Sequence, residues 1–185
     1  MRERYQALLQ STNVAAGLAA SATIASMRWT STTKVAVVKE VVLCALTNTT
    51  AFTAGYGSVF LQPATAFSAS DTGEASATKN KLRGIFAASA IGADDLKVSQ
   101  TAAVTAGTRT LGGLLGGFYV AFDATANKQW LGGDGATLLR SALEDPDDGL
   151  FLTTNTGFVV VATVPATGVW QFCIRVKWEE RSGTA

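Results

Sequence analysis

The run Trp170-Gln-Phe-Cys-Ile-Arg-Val-Lys-Trp178 puts an apolar side chain at every second position, with Gln171, Cys173, Arg175 and Lys177 in between. A helix would scatter that alternation around its circumference, whereas a strand lays it out as one dry and one wet face. Upstream, residues 158–164 are almost all β-branched and carry no charge, so both faces of that strand are expected to be buried or paired. Pro165-Ala-Thr-Gly168 between them has turn chemistry, because Pro presets φ and Gly accepts a positive one. The pattern predicts an antiparallel hairpin of 158–164 with 170–178, with Trp170, Phe172 and Ile174 in the core. Such a pair belongs at the centre of a sandwich.

The remaining segments extend the β reading. Residues 22–29 alternate weakly and read as a strand, and so do 55–64, ending at Pro63. Residues 34–46 form a long β-branched run with Lys39 and Glu40 side by side. Consecutive charges would face opposite sides of a regular strand, and a bulge or bend there removes the conflict. Residues 67–80 are a polar excursion without period, a long loop of the kind that is usually either functional or mobile. Residues 81–90 read as a strand or a helical turn, and 94–104 as a further strand. Leu111-Gly-Gly-Leu-Leu-Gly-Gly117 is either a bulged strand or a flap leading into 118–122. Seven to nine strands without alternating helices predict an all-β chain: a single-domain antiparallel β-sandwich or jelly roll over 14–185, with an N-terminal arm over 1–13.

That arm could be a short helix or extended chain. A segment so short is marginal alone, so Tyr5, Leu8 and Leu9 are expected to dock on a neighbouring subunit, with Arg2 and Arg4 at the rim of the contact; the competing reading is that the arm folds back onto its own sandwich. Gln10, Ser11, Thr12 and Asn13 interrupt the apolar run that a signal peptide or a spanning helix would need.

Charge is scarce. Only 16% of the 185 residues are charged, against about 25% in ordinary soluble domains, and residues 5–27, 41–70 and 149–174 carry none. A surface so short of charge is expected to be covered in part by other subunits. The net charge of +1 gives no overall field towards nucleic acid or an anionic membrane, and the sequence shows no basic patch. The two cysteines, Cys44 and Cys173, read as buried thiols, with a bridge open to them if their strands prove adjacent.

Catalytic and ligand chemistry has little to stand on. Without histidine there is no Ser-His-Asp or Cys-His device. Glu144, Asp145, Asp147 and Asp148 could supply a carboxylate pair for glycoside hydrolysis, or with Asp134 a calcium site, but they read as a solvated acidic turn. The four glycines of 111–117 lack the Lys-Ser/Thr of a phosphate loop. Trp170 and Trp178 belong to the core, leaving loop residue Trp130 as the one tryptophan open to a ligand. The expectation is no enzyme, no cofactor, no metal and no small-molecule substrate.

Several segments carry a resemblance: Arg28-Trp-Thr-Ser-Thr-Thr-Lys-Val-Ala-Val-Val-Lys39, Thr50-Ala-Phe-Thr-Ala-Gly-Tyr-Gly57, Phe67-Ser-Ala-Ser-Asp-Thr-Gly73, Asn80-Lys-Leu-Arg83, Thr105-Ala-Gly-Thr-Arg-Thr-Leu111, and the closing Asn155-Thr-Gly-Phe-Val with Val-Pro-Ala-Thr-Gly-Val-Trp and Trp-Glu-Glu180. In this order, over residues from about 24 to 180, the chain resembles a group of tailed-bacteriophage virion proteins. The resemblance implies a structural virion component and brings no catalytic signature. Its expected place is the capsid surface, as a decoration or cement protein bound across joints of the major capsid protein and to copies of itself. A head-fibre or tail receptor-binding module, or a tail-tube or connector subunit, is the alternative.

Overall fold

Alternating β-branched and aromatic residues become strands throughout the chain, and the described residues contain no helix. The computed structural model describes residues 2–15, 18, 20–73, 75–124, 129, 135–141 and 148–183. In chain order the strands are β1 (Arg2–Gln10), β2 (Ala22–Trp29), β3 (Lys34–Asn48), β4 (Gly55–Thr65), β5 (Ala75–Ser76), β6 (Asn80–Lys81), β7 (Leu96–Val98), β8 (Thr110–Leu111), β9 (Gly116–Phe122), β10 (Ala136–Arg140), β11 (Leu150–Leu152), β12 (Thr156–Thr163) and β13 (Trp170–Ser182). One sheet runs β10-β3-β13-β1-β6, with β11 also on β3. The other runs β5-β7-β2-β12-β4-β8, with β9 also on β4. Every pairing among them is antiparallel. The two sheets pack face to face as a β-sandwich.

The alternation in β13 is realised as read. Trp170, Phe172, Ile174, Val176 and Trp178 are all buried, while Gln171, Cys173, Arg175 and Lys177 are only half-buried on the outer face. The expected hairpin, however, does not form. β12 is paired on both edges, by β2 and β4, and β13 on both edges, by β3 and β1. Neither strand has an edge left for the other, so Pro165-Ala-Thr-Gly168 carries the chain from one sheet to the other instead of folding it back within one. Gly168 takes φ +102 there. A Cβ at that position would press on Phe52, so the turn requires glycine.

The N-terminal segment is likewise no arm. β1 pairs with β13 over nine residues, from Arg2 opposite Arg181 to Gln10 opposite Cys173. Tyr5, Ala7 and Leu9 point into this chain's own core, and Tyr5 stacks on Trp178 with centroids 5.6 Å apart. Period two, not helical spacing, organises the segment, so Leu8 faces outward while Leu9 faces inward. Two other readings shrink: 94–104 keeps only β7, and 81–90 is β6 followed by a turn.

The Lys39–Glu40 conflict is resolved by the expected bulge. Lys177 pairs with Glu40 and Trp178 with Val38, so Lys39 is the extra residue in β3. Its buried ammonium donates to the Asp148 carbonyl. A second bulge leaves Cys44 unpaired next to Cys173, so the two cysteine strands are adjacent, and both thiols are free and half-buried. Burial first, and the neighbouring Cys44 second, push the Cys173 thiol up.

Two ring clusters fill the core. Trp170 meets Phe52 at 4.9 Å and Phe122 at 4.8 Å between centroids, joining β13 to the opposite sheet. Replacing Trp170 by Ala is expected to cost about 3–5 kcal/mol, the usual loss for a buried large aromatic. Chemical denaturation of the variant checks it, and a loss below about 1 kcal/mol would contradict the packing described.

Candidate functional site

The five residues expected to contact a neighbour are divided by β1. Tyr5 and Leu9 are core residues, while Arg2, Arg4 and Leu8 stand on the outer face of the first sheet. Arg4 Nε donates to Glu179 Oε1 at 2.8 Å, and Arg181 holds the other oxygen at 3.2 Å. Beside them Lys34 lies 2.6 Å from Glu3 and 3.4 Å from Glu180. Glu180 is buried and also accepts from Ser89 Oγ at 2.5 Å, from the Ala90 amide, and from Trp178 Nε1 at 3.2 Å. The hydrogen bond from Lys34 holds Glu3 below its ordinary value. Burial first, then Glu180 and Glu3, push the Tyr5 phenol up. These groups lock β1 to β13 and to segment 82–90.

The outer face of this sheet also gathers cations. Arg2, Arg4, Arg83, Lys177 and Arg140 line adjoining hollows across β1, β13, β3 and β10. The sequence shows no such patch because these residues lie far apart along the chain and meet only through the strand order. Within the patch, Glu40 lies 2.7 Å from Arg175 Nε and 3.2 Å from Lys177 Nζ. Burial raises its pKa, but the two cations together outweigh burial and hold Glu40 below its ordinary value.

The second sheet's outer face is divided in two. Over β2 and β12 it is covered by segments 67–73 and 104–109, which bridge at Thr72 and Thr105. Phe67 is buried against Gly157, and Arg28 ties the cover down, donating to the Phe67 carbonyl at 2.6 Å and the Ser68 carbonyl at 2.9 Å. Buried Asp71 accepts from Arg109 and from the Gly107 amide, and Arg109 lies 5.2 Å over the Phe67 ring. The polar excursion is thus a fastened cover.

Over β4, β8 and β9 no described segment covers the same face. Tyr56, Ser58, Phe60 and Gln62 point outward while Gly57, Val59 and Leu61 point into the sandwich. Tyr119 of β9 sits opposite Ser58 and meets Phe60 edge-on at 5.1 Å. Tyr56 is 83% exposed and Tyr119 78%. Leu111, Leu114 and Leu115 extend the surface, because Gly112 and Leu115 bond to the Pro63 and Leu61 carbonyls alongside β4. The glycine run is what lets the strip lie flat: a Cβ on Gly117 would strike Phe60 and the Val59 carbonyl, and one on Gly116 the Leu138 carbonyl of β10. No charge occurs in 41–70 or 110–122. Its signal in the sequence was the even-numbered Tyr56 and Phe60 beside a charge-free Tyr119.

Among the described residues no group of three or more His, Cys, Asp or Glu could hold a metal ion. Asp134, Glu144, Asp145 and Asp147 lie outside the described residues, and so does Trp130. Asp148 is described, and its carbonyl accepts from Lys39 and from Ser141 Oγ. No protein-family model, no curated protein and no solved structure matches the chain.

Glu40 gives a pH test of the cationic face. Its folded pKa is depressed, so its stabilisation is present above the ordinary value of 4.5 and is lost as pH falls through the folded value. Replacing Glu40 by Gln is expected to cost about 1–3 kcal/mol near neutrality and to flatten the acid limb of stability against pH. Thermal unfolding followed at a series of pH values reads both effects, and an unchanged acid limb would contradict the assignment.

Proposed function

We propose that the protein is a structural component of a tailed-phage virion, most simply a capsid decoration or cement protein that lies across joints between capsid subunits. The single observation that carries this reading is the exposed strip of Tyr56, Phe60, Tyr119, Leu111, Leu114 and Leu115 along β4, β8 and β9. Contiguous apolar surface of this kind marks contact with another protein, and aromatic anchors supply most of the energy in such contacts. The other half of the same face is closed by the protein's own cover segments, whereas no described segment closes this half. The resemblance in the sequence to virion proteins supplies the particle, and the strip supplies the means of attachment.

One observation favours a second reading. Two highly exposed tyrosines beside Ser58 and Gln62 suit stacking on a sugar ring, as a receptor-binding module of a fibre would need. The leucines beside them weigh towards protein, because a glycan offers them little apolar surface to bury.

The expected outcome is that the purified protein binds undecorated capsids, and that hundreds of copies are counted per virion. Replacing Tyr119 and Leu115 by Ser should weaken capsid binding at least tenfold, the effect of about 1.4 kcal/mol, and leave the melting temperature within a few degrees, since both side chains are exposed. Co-sedimentation with capsids decides it. Undiminished binding by the double variant, or a few copies per particle together with glycan binding, would overturn the cement reading.

A further inference from the structure

The chain has two cysteines, and the fold sets them against each other on the outer face of the first sheet. Cys173 stands outward between the buried Phe172 and Ile174 of β13. On β3, Leu43 and Leu46 both enter the core, which leaves Cys44 and Ala45 side by side on the outer face. Only a bulge lets two consecutive residues share a face. Ile174 pairs with Leu43 and Cys173 with Ala45, so Cys44 and Ala45 together oppose the single residue Cys173. Residues opposed across antiparallel strands have Cα atoms about 4.5–5.5 Å apart. A disulfide needs roughly 4.4–6.8 Å. Cys44 is also close enough to act on the Cys173 thiol through hydrogen bonding as well as charge.

The surroundings decide what such a pair can do. Both thiols are half-buried, and a hollow of about 170 Å³ opens beside Cys173, lined by Gln10, Ser11, Thr47 and Gln171. Uncharged walls of this kind admit a small neutral reagent. On the other side the chain at Gly135 crosses β3 so closely that a Cβ there would lie 2.9 Å from Cys44 Cα. The two sulfurs are therefore within easier reach of each other than of a cysteine on another molecule. Burial pushes the Cys173 thiol up, and since the thiolate is the reactive form, the pair stays reduced until an oxidant is in excess. Among the described residues no third His, Cys, Asp or Glu joins the two to make a metal site.

We propose that Cys44 and Cys173 are a redox site, which closes to an intrachain disulfide between β3 and β13 when the protein meets a small-molecule disulfide and reopens in excess thiol. One protein thiolate attacks a sulfur of the small disulfide, forming a mixed disulfide and expelling one small thiolate. The second cysteine then attacks the protein sulfur of that bond, closing the bridge and expelling the other. Two protein thiols are oxidised, one small disulfide is reduced to two thiols, and the two protons pass to them. Because the strands already pair at this point, closure asks for no rearrangement of the backbone. The bridge joins positions 44 and 173, so it closes most of the chain into one loop, the case in which a crosslink restricts the unfolded chain most. It also fastens the strand that carries Trp170, Phe172 and Ile174 to its neighbour. With one side open to the hollow, the bridge remains within reach of a reductant. The inference is independent of what the exposed strip binds.

The test uses the full chain, purified in dithiothreitol and then transferred into hydroxyethyl disulfide, a small neutral oxidant. Intact-mass spectrometry under non-reducing conditions is expected to show a monomer lighter by two hydrogens, and a non-reducing digest the peptides of Cys44 and Cys173 joined. Thiol titration should show both cysteines disappearing together. The oxidised protein should melt at least about 5 °C above the reduced one, and the gain should vanish when dithiothreitol is returned. Cys44→Ala and Cys173→Ala should each show no such rise under the same treatment. Should either variant fail to fold, the measurements on the wild-type chain alone still decide. Two thiols that persist in the oxidant, a hydroxyethyl group retained on each cysteine, bridges formed only between two chains, or a bridged monomer that melts no higher than the reduced form would each overturn the proposal.

Discussion

The apolar row on β13 is the constraint to which the rest of the structure answers. Trp170, Phe172, Ile174, Val176 and Trp178 form one wall of the core, and each end of the wall is met by rings from elsewhere: Phe52 and Phe122 at Trp170, Tyr5 at Trp178. To keep that wall inside, β13 needs a neighbour on both edges, and β3 and β1 are the neighbours. The N-terminal strand is therefore structural, since without it the Trp178 end of the wall and its backbone edge would face water. The same demand explains why β12 cannot be β13's partner. An uncharged strand buried on both faces must itself be central, and two central strands of a sandwich sit in opposite sheets.

Charge inside this sandwich is confined to places where the register is fixed. Lys39 is pushed into a bulge and satisfied by a carbonyl, while Glu40 turns outward to two cations. Glu179 and Glu180, adjacent and both buried, each find separate sets of donors on β1, β3 and segment 87–90. Leaving any one of these carboxylates unpaired would cost several kcal/mol. A slip of one residue between β1 and β13 would therefore strand charges as well as invert the apolar face. Asp71 and Arg109 act similarly on the cover, where a buried pair holds together two segments that have no hydrophobic period of their own.

Legibility in the sequence followed periodicity. The strands β2, β3, β4, β12 and β13, the sandwich class, the core tryptophans and the bulge at Lys39 could all be read from alternation and from the conflict of neighbouring charges. What could not be read was pairing, because a turn such as Pro165-Ala-Thr-Gly168 has the same chemistry whether it closes a hairpin or crosses between sheets. The segment 1–13 is ambiguous for a related reason: Tyr5, Leu8 and Leu9 suit a helix face, a docking arm or an arm folded back on its own sandwich, and only the register with β13 shows Leu8 and Leu9 pointing opposite ways. The two surfaces were hidden in different ways. The strip at Tyr56 and Tyr119 joins residues over sixty positions apart, and the cationic groove joins strands from both ends of the chain.

The two faces carry different chemistry, and in an assembly they would do different jobs. Apolar burial is non-directional and insensitive to salt, so the β4–β9 strip can supply affinity to a lattice without fixing how each copy is turned. Paired guanidinium and carboxylate groups contribute less net energy, but they reject wrong partners and set orientation. The two lie on opposite faces of the sandwich, one on each sheet, so a partner engaged on one would leave the other open, and where both are engaged each raises the effective concentration for the other.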